Sequence, residues 1–176
     1  MRQLKYLAML NIPRFVASDT FDTIQLHLFC DASESAYGCA IYARTLCQGV
    51  PVVNLLTAKS RLAPRKSISI PRLELCAMLL GAKLLKVVYD VVSPMAAVET
   101  YAWSDSTIAL SWVKAHPSKY ETFVRNRIGQ IQRTKEIKEW NHVPTQENPA
   151  DHTTRYVMPQ HLAALKIWWK GPLAAQ

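Results

Sequence analysis

Four acidic side chains lie where regular elements of secondary structure are predicted to begin or end: Asp31, Glu74, Asp105 and Asp151. Four carboxylates converging on one place would repel one another strongly unless a cation neutralised them. Oxygen ligands with no cysteine or histidine nearby suit Mg²⁺ or Mn²⁺. Two such ions about 3.5–4 Å apart could activate water for the cleavage of a phosphodiester bond. The chemistry to be tested is therefore metal-assisted hydrolysis.

Each acid taken alone also has a simpler structural explanation. Asp31 lies in the polar segment DASES, which is typical of a turn. Asp105 suits a helix N-cap, whereas Glu74 and Asp151 lie where acids favour the helix dipole. The metal hypothesis therefore depends on the set, and on whether the elements that carry these residues meet at one edge of a sheet.

The apolar pattern predicts five strands and a smaller number of helices. The predicted strands span residues 24–30, 37–44, 52–58, 100–104 and 138–143, and the predicted helices span 71–92, 105–115 and 120–134. A last short helix is predicted to open at Asn148 and Pro149. The first three strands are joined by short turns and should form an antiparallel meander. The whole order predicts an α/β fold, with a mixed sheet and helices on its faces.

The length of 176 residues and a hydrophobic content of 49% suit one globular domain with short extensions. We predict an N-terminal extension over residues 1–20, a domain over 21–158 and a C-terminal extension over 159–176. Residues 2–17 have the pattern of a short helix followed by a turn. Trp168 and Trp169 are predicted to anchor the C-terminal extension, either on the domain surface or on a neighbouring domain.

The chain is basic, with 21 lysine and arginine residues against 13 acids and a net charge of +8. Two stretches carry most of the excess. The first comprises Lys59, Arg61, Arg65, Lys66 and Arg72; the second comprises Lys114, Lys119, Arg125, Arg127, Arg133, Lys135 and Lys138. Such stretches favour a polyanionic partner, most simply nucleic acid, although charge alone fits a solvated surface equally well. Trp112, Tyr120 and Phe123 interleave with the second stretch and could line a groove that binds nucleic acid, with packing in the core as the alternative for Trp112.

Several other classes of site are disfavoured. Neither GxxxxGK[ST] nor GxGxxG occurs, so binding of a nucleoside triphosphate or a dinucleotide is not expected. Cys30, Cys39, Cys47 and Cys76 lack zinc-site spacing and are interpreted as buried free thiols in a reducing compartment. No apolar run approaches the length of a membrane span. His27 alternates with apolar neighbours on the first strand and is predicted to face solvent.

Four blocks of the sequence together resemble the motifs of RNase H domains: FCDASESAYG, IPRLELCA, WSDSTIALSW and NPADHTTR. The residues of these blocks, together with AKSRLAP and WWKGP near the C-terminus, are most similar to the reverse-transcriptase-associated RNase H of Bel/Pao long-terminal-repeat retrotransposons. The similarity covers nearly the whole chain. The early segment LNIPR resembles the connection between polymerase and RNase H in those polyproteins, so residues 1–20 are interpreted as a remnant of that connection.

The resemblance implies an RNase H-like fold with sheet order 3-2-1-4-5 and helices on both faces. It also implies endonucleolytic hydrolysis of the RNA strand of RNA–DNA hybrids, with two Mg²⁺ ions, or Mn²⁺, held by the four acids. Selectivity for RNA would come from contacts to the 2′-hydroxyl. A reverse transcriptase domain of the same polyprotein is an expected partner, in the cytoplasm or in a retroelement particle. The expected nucleic-acid-binding residues are Ser33, Lys59, Arg61, Arg65, Lys66, Arg72, Ser106, Arg125 and Arg127, with Ser33 and Ser106 also neighbouring the metal ligands.

The sequence departs from the RNase H pattern in its last block. Gln146 stands near the usual place of a mobile loop histidine, while His142 lies earlier, on the predicted fifth strand. His152 could approach the metals but is more simply an exposed helix residue. Thr154 replaces a serine, and Tyr156 replaces a glycine that could matter for the end of the final helix. A catalytically decayed or host-captured nucleic-acid-binding module is therefore the alternative interpretation.

Overall fold

The structure, a computed structural model, describes residues 23–172; the predicted helix of residues 2–17 and the predicted N-terminal extension lie outside this range. The strands are β1 (Thr23–Ala32), β2 (Ala36–Cys47), β3 (Val50–Leu62), β4 (Ala97–Ser104) and β5 (Trp140–His142). They form one sheet in the order β3-β2-β1-β4-β5, which confirms the predicted order. β1, β2 and β3 are antiparallel neighbours, whereas β4 is parallel to both β1 and β5.

The β2–β3 connection shows why the first three strands form a meander. Gln48 and Gly49 both have positive φ, at 52° and 81°. Two consecutive residues of this kind make the tight turn whose twist matches that of paired strands. The pairing continues to Leu62, beyond the predicted end at residue 58, so Lys59 and Arg61 lie on a strand. The prediction ended early because exposed edge positions need no apolar side chains.

Six α-helices are present between residues 23 and 172. They are α1 (Ile70–Val92), α2 (Thr107–Lys114), α3 (Thr122–Ile131), α4 (Asp151–Thr154), α5 (Pro159–Leu162) and α6 (Lys166–Lys170). α1 begins one residue before Pro71, which occupies an early position where its missing N–H costs no helical hydrogen bond. The last short helix was predicted to open at Asn148, but α4 begins later and two further short helices follow it. None of the helices in this part of the chain is both long and apolar enough to cross a membrane.

The sheet separates two apolar layers. On the inner face, Leu26, Leu28 and Cys30 of β1 pack with apolar residues of α1, α2 and α3. Gly81 allows α1 to lie close to β1, because a Cβ atom there would come within 2.6 Å of Cys30 Sγ. On the outer face, Phe29 belongs to a smaller cluster that also includes residues at the start of α4 and in α6. Helices thus cover both faces, as predicted.

All four cysteines are free thiols. Cys30 and Cys39 are buried, as predicted, whereas Cys47 and Cys76 are only partly buried. Cys47 lies at the end of β2, beside the turn that leads into β3, and Cys76 lies on α1. The local apolar pattern did not distinguish these two positions from the core.

The C-terminal part of the described chain packs on the outer face of the sheet. The Tyr42 hydroxyl of β2 donates a hydrogen bond of 2.8 Å to the Trp168 carbonyl oxygen, and Trp168 packs against the outer cluster. Lys170 Nζ lies 3.0 Å from Asn54 Oδ1 of β3. The domain boundary at residue 158 remains a prediction, but the segment after it contributes part of the sheet's apolar covering.

His27 was predicted to face solvent, but it is buried in the structure. Only 4% of its surface is exposed, and its ring stacks on Tyr101, with 4.9 Å between the ring centroids, and faces Trp103. Burial, together with the charge of Arg44, lowers the pKa of His27 to about 4, so the ring is neutral at pH 7. The alternation rule failed because both faces of a central strand are covered, whereas the rule presumes one solvent face.

Candidate active site

Three of the four predicted acids come together where β1 and β4 end. Each of Asp31, Glu74 and Asp105 places one carboxylate oxygen so that the three oxygens lie within 4.8 Å of one another. Cys30 and Ser104 are paired across the parallel strands, so Asp31 and Asp105 follow side by side. Glu74 reaches the same place from α1, which packs on the inner face of β1.

The local roles of two of these acids differ from the simpler explanations. Glu74 lies just beyond the first turn of α1, and that first turn contains no acid. A favourable interaction with the helix dipole therefore does not explain the position of Glu74. Asp105 does not cap α2. Ser106 is the N-cap, and its hydroxyl accepts a hydrogen bond of 3.2 Å from the Ala109 N–H. The Asp105 carboxylate is therefore not needed for capping, and that alternative is wrong.

Asp151 lies beside this group without being one of its three members. It is the first residue of α4, and its negative charge is close enough to raise the pKa of Asp31. Its Oδ1 atom lies 2.6 Å from Arg155 Nε, one helical turn along the chain. The fourth acid thus borders the cluster from the outer-face side and is paired with an exposed arginine.

Two acids of the cluster, Asp31 and Glu74, have raised pKa values. Burial, with the charges of Asp105 and Asp151, raises the pKa of Asp31 to about 6 against the opposing hydrogen bond from Thr154. Burial, with the charges of Asp105 and Asp31, raises the pKa of Glu74 to about 7. Glu74 Oε2 is buried and has no hydrogen-bond partner among the described residues. A cation bound among these acids would oppose both shifts, because it favours the ionised carboxylates.

A divalent cation fits this donor set. The three close ligands are all carboxylates, one of them has a buried oxygen without a partner, and no cysteine or histidine shares the group. Mg²⁺ and Mn²⁺ prefer such oxygen ligands. The residues that would hold an ion are Asp31, Glu74 and Asp105, with Asp151 adjacent.

Two hydroxyl groups connect α4 to the end of β1. Thr154 Oγ1 donates a hydrogen bond of 2.5 Å to Asp31 Oδ2. Ser33 Oγ donates to the Thr154 carbonyl oxygen over 2.9 Å and accepts from the backbone N–H groups of Ser35 and Ala36. Sequence reasoning placed Ser33 near the site but treated Thr154 only as a mild replacement for serine. The retained hydroxyl was the available signal for its role.

Sequence reasoning also missed Asn148, which lies in the loop between β5 and α4. Its side chain is buried and hydrogen-bonded to Asp105, to the Cys30 carbonyl oxygen of β1 and to the Ala150 N–H two residues along the chain. The available signal was its place at the start of the NPADHTTR block, but it was interpreted only as a residue that opens the last helix.

The histidines considered from sequence lie outside the acid cluster. His152 is partly buried and packs edge-on against Trp168, with 6.5 Å between the ring centroids. His142 is exposed at the end of β5. Gln146 is exposed in a short 3₁₀ turn, Thr145–Glu147. The simple prediction of an exposed His152 therefore missed its packing on the C-terminal segment.

Two predicted nucleic-acid-binding arginines share one aromatic ring. The guanidinium carbon of Arg127 lies 3.5 Å from the centroid of Phe123, and that of Arg72 lies 5.4 Å from it. Arg127 also donates to the Phe123 carbonyl oxygen and to Cys76 Sγ, on α1. We call these three residues the Arg72–Phe123–Arg127 cluster. It joins α3 to the N-terminal part of α1, which carries Glu74.

The remaining predicted basic contacts are on the surface. Lys59 and Arg61 are exposed near the end of β3, and Arg65 and Lys66 are exposed in the loop from β3 to α1. Arg125, also exposed, donates from Nε to the Tyr120 carbonyl oxygen. Trp112 and Tyr120 instead pack against the inner core, which is the second of the two roles considered for Trp112.

The sheet order, together with acids at the ends of the central parallel strands and on the helix beside them, defines an RNase H-like domain. The chain belongs to the family described as the Pao retrotransposon-like RNaseH-like domain, whose model matches residues 1–106. The matched range contains Asp31, Glu74 and Asp105. Asp151 lies beyond it.

Solved structures similar to this chain include RNase H proteins. LC11-RNase H1, isolated from compost by a metagenomic approach, has a TM-score of 0.48 at 16% identity, covering 80% of this chain and 99% of that chain. The N-terminal RNase H domain of a Mycobacterium tuberculosis protein has a TM-score of 0.45 at 14% identity, covering 82% and 97%. LC11-RNase H1 in complex with an RNA/DNA hybrid has a TM-score of 0.45 at 14% identity, covering 71% and 88%. No curated protein sequence matches the chain significantly.

Proposed function

We propose that this domain is a Mg²⁺-dependent endonuclease that cleaves the RNA strand of RNA–DNA hybrids as part of retrotransposon reverse transcription. The observation that carries the proposal is the approach of Asp31, Glu74 and Asp105 in a member of the Pao RNaseH-like family. These acids come from three separate segments and meet beyond the carboxyl ends of parallel strands, where α/β proteins bind their ligands.

In this proposal the chain provides a rigid set of negative oxygens. Asp31, Glu74 and Asp105 would hold divalent ions, and Asp151 would complete the set from α4. Bound ions would supply an activated water and neutralise charge on the leaving oxygen. Because protonated carboxyls do not ligate metals, Asp31 and Glu74 must release their protons as ions bind. Manganese could replace magnesium with the same ligands.

The basic surface supports a polyanionic substrate. The Arg72–Phe123–Arg127 cluster lies on α1 and α3, while Lys59, Arg61, Arg65 and Lys66 are exposed on β3 and in the following loop. We assign these residues, with Arg125, to the sugar–phosphate backbones of the hybrid, since phosphate contacts dominate such binding. Ser33 and Ser106 are hydroxyl groups near the acids, and discrimination of RNA would require contacts to its 2′-hydroxyl.

Replacement of Asp105 by asparagine tests the proposal directly. Asp105→Asn keeps the shape of the side chain but removes a charged metal ligand, so cleavage of a labelled RNA–DNA hybrid in Mg²⁺ should fall to background while the fold is retained. Glu99→Gln is the matched control, because it removes one negative charge from the same strand at an exposed position. Near-normal cleavage by Asp105→Asn, with circular dichroism unchanged, would contradict the proposal.

The rival interpretation is a catalytically decayed or host-captured binding module. It predicts that the unaltered chain binds the hybrid but leaves it uncut at every Mg²⁺ concentration. The close approach of three intact carboxylates argues against decay. Gel-shift and cleavage measurements on the same hybrid distinguish the two interpretations, since only the enzyme converts bound substrate into internal RNA fragments.

Membership of a retrotransposon family supports a proposal for the biological setting. We propose that the domain, residues 21–158 with extensions on both sides, works beside a reverse transcriptase domain of the same polyprotein, in the cytoplasm or in a retroelement particle. Co-expression with a reverse transcriptase domain of a Pao-type retrotransposon, followed by co-purification, tests this partnership.

A further inference from the structure

Asn148 is a buried amide that connects the acid-bearing segments. Its side chain is 2% exposed. Nδ2 donates hydrogen bonds to the Cys30 carbonyl oxygen over 3.0 Å and to Asp105 Oδ1 over 3.3 Å. Oδ1 accepts a hydrogen bond of 3.2 Å from the Ala150 N–H. Every polar atom of this side chain is therefore used.

The partners of Asn148 are adjacent to the predicted metal ligands. Cys30 directly precedes Asp31 on β1, and Ala150 directly precedes Asp151 on α4. The Asn148 carbonyl oxygen also accepts from the Asp151 N–H over 3.2 Å. One residue thus touches Asp105 itself and the backbone beside two other acids.

An asparagine suits this position for electrostatic reasons. Its amide N–H groups attract both the backbone carbonyl and the carboxylate, and they add no charge to a cluster that is already strongly negative. The loop between β5 and α4 has no strand pairing to fix its distance from β1. A buried side chain that satisfies partners on all sides can fix that distance, because leaving any of them unpaired is costly.

We propose that Asn148 is a positioning residue that orients the Asp105 carboxylate and holds the start of α4 at the end of β1, so that the acids are arranged for divalent cations before an ion binds. The inference deepens the proposed function. The expected effect of Asn148 on ion affinity does not depend on whether the protein cuts nucleic acid. Neighbours that orient metal ligands typically change metal affinity or activity by about 10–100-fold when they are removed.

Asn148→Ala in the whole chain tests the inference. We expect the affinity for Mn²⁺, measured by titration calorimetry without nucleic acid, to fall by about 10-fold or more. The Mg²⁺ concentration at half-maximal cleavage should rise correspondingly, while hybrid affinity in EDTA stays unchanged. Asn141→Ala is the matched control: Asn141 is partly buried on β5 and its side chain makes no hydrogen bond within the described chain. The Mn²⁺ affinity of Asn141→Ala should equal that of the unaltered protein.

A purely structural role for Asn148 gives a different result. Loss of a buried hydrogen-bonding group would then lower the melting temperature and the folded fraction, but the folded molecules would keep the original Mn²⁺ affinity and Mg²⁺ half-saturation. That result overturns the inference.

A measurement on the unaltered protein covers the case in which Asn148→Ala does not fold. The side-chain NH₂ resonances of Asn148 should shift when Mg²⁺ is added, because one of these protons is hydrogen-bonded to Asp105, a proposed metal ligand. The side-chain NH₂ resonances of Asn141 should not shift. Unmoved Asn148 resonances at saturating Mg²⁺ overturn the inference.

The failure of the inference and the failure of the proposed function can be told apart. If the unaltered protein binds Mn²⁺ but leaves the hybrid intact, the nuclease proposal fails and the Asn148 inference is judged by ion affinity alone. If it cuts the hybrid and Asn148→Ala matches it in both ion affinity and Mg²⁺ dependence, only the inference fails. Absence of any ion binding overturns both.

Discussion

The Thr154 hydroxyl donates a hydrogen bond of 2.5 Å to Asp31 Oδ2, although 123 positions separate the two residues in the chain. This bond opposes the effect of burial and keeps the pKa of Asp31 lower than it would otherwise be. It also attaches the short helix α4 to the end of the central strand.

Removal of this hydroxyl should weaken metal binding. In Thr154→Val the pKa of Asp31 should rise further, so we expect roughly a 10-fold loss of Mn²⁺ affinity and of Mg²⁺-dependent cleavage near pH 7. Thr154→Ser keeps the hydroxyl and should retain near-normal values. The measurements are calorimetric titration and hybrid cleavage; equal affinities for the valine and serine variants would refute the role assigned to the hydroxyl.

A side chain at Gly38 should displace α4. Gly38 is paired with Asp31 across β1 and β2, and a Cβ atom there would lie 2.2 Å from Thr153 Oγ1 and 3.0 Å from the Lys59 carbonyl oxygen. We expect Gly38→Ala to destabilise the fold by about 1–3 kcal/mol, as overpacking does, and to reduce cleavage.

Gly129→Ala is the control for this substitution, because nothing lies within 4 Å of a Cβ atom at that position on α3. It should be neutral or stabilising by up to about 1 kcal/mol. Urea unfolding measures both variants. Adding Thr153→Ala to Gly38→Ala should recover part of the lost stability, and no recovery would show that the Thr153 hydroxyl is not the contact responsible for the loss.

The metal-free protein should lose stability as the pH rises from about 4 to about 7. Asp31 and Glu74 have raised pKa values in the folded state, about 6 and about 7, against ordinary values of 3.8 and 4.5. Across most of this interval the two acids bind more protons in the folded state than in the unfolded state, which lowers the free energy of unfolding as the pH rises. His27 acts in the opposite direction, because folding lowers its pKa from 6.5 to about 4, but the shifts of the two acids together are larger. The expected loss is a few kcal/mol, at about 1.4 kcal/mol per pKa unit.

Urea unfolding in EDTA at several pH values measures this effect. Glu74→Gln removes one of the two groups and should flatten the dependence, and saturating Mg²⁺ should abolish most of it by binding the ionised acids. A pH dependence identical in the unaltered protein and Glu74→Gln would show that Glu74 does not titrate as described.

Loss of Arg127 should weaken hybrid binding without changing the chemical step. The guanidinium is held over the Phe123 ring and by two hydrogen bonds, an arrangement that would pre-orient it for a phosphate. Arg127→Ala should raise KM for the hybrid, leave kcat unchanged, and reduce the slope of log affinity against log salt concentration by about 1.

Phe123→Leu separates the effect of the ring from that of the charge. It preserves apolar volume but removes the face on which both arginines lie, so it should give a smaller rise in KM and leave the salt slope unchanged. Lys83→Ala, at an exposed position of α1, controls for the general loss of one positive charge. If Lys83→Ala has the same effect as Arg127→Ala, no specific phosphate contact exists at Arg127.

Much of the fold could be predicted from local patterns. Alternation and helical periodicity located all five strands and the three long helices, because burial of one face imposes a period on the sequence. The resemblance supplied the strand order, and the structure has the same order. The prediction for His27 was wrong because a central strand has no solvent face. The interpretation of Asp105 as a cap was wrong because the adjacent Ser106 takes that place.

The sequence by itself determined which elements form and which acids stand at their ends, since these depend on residues close to one another in the chain. Only the tertiary structure decided that three of the acids meet, that Asp151 stands beside them, and that Thr154 and Asn148 support them. The hydrogen bonds from Asn148 to Asp105 and from Thr154 to Asp31 join residues 43 and 123 positions apart. Hydrogen bonds of this kind depend on how whole strands and helices pack, and no local pattern records them.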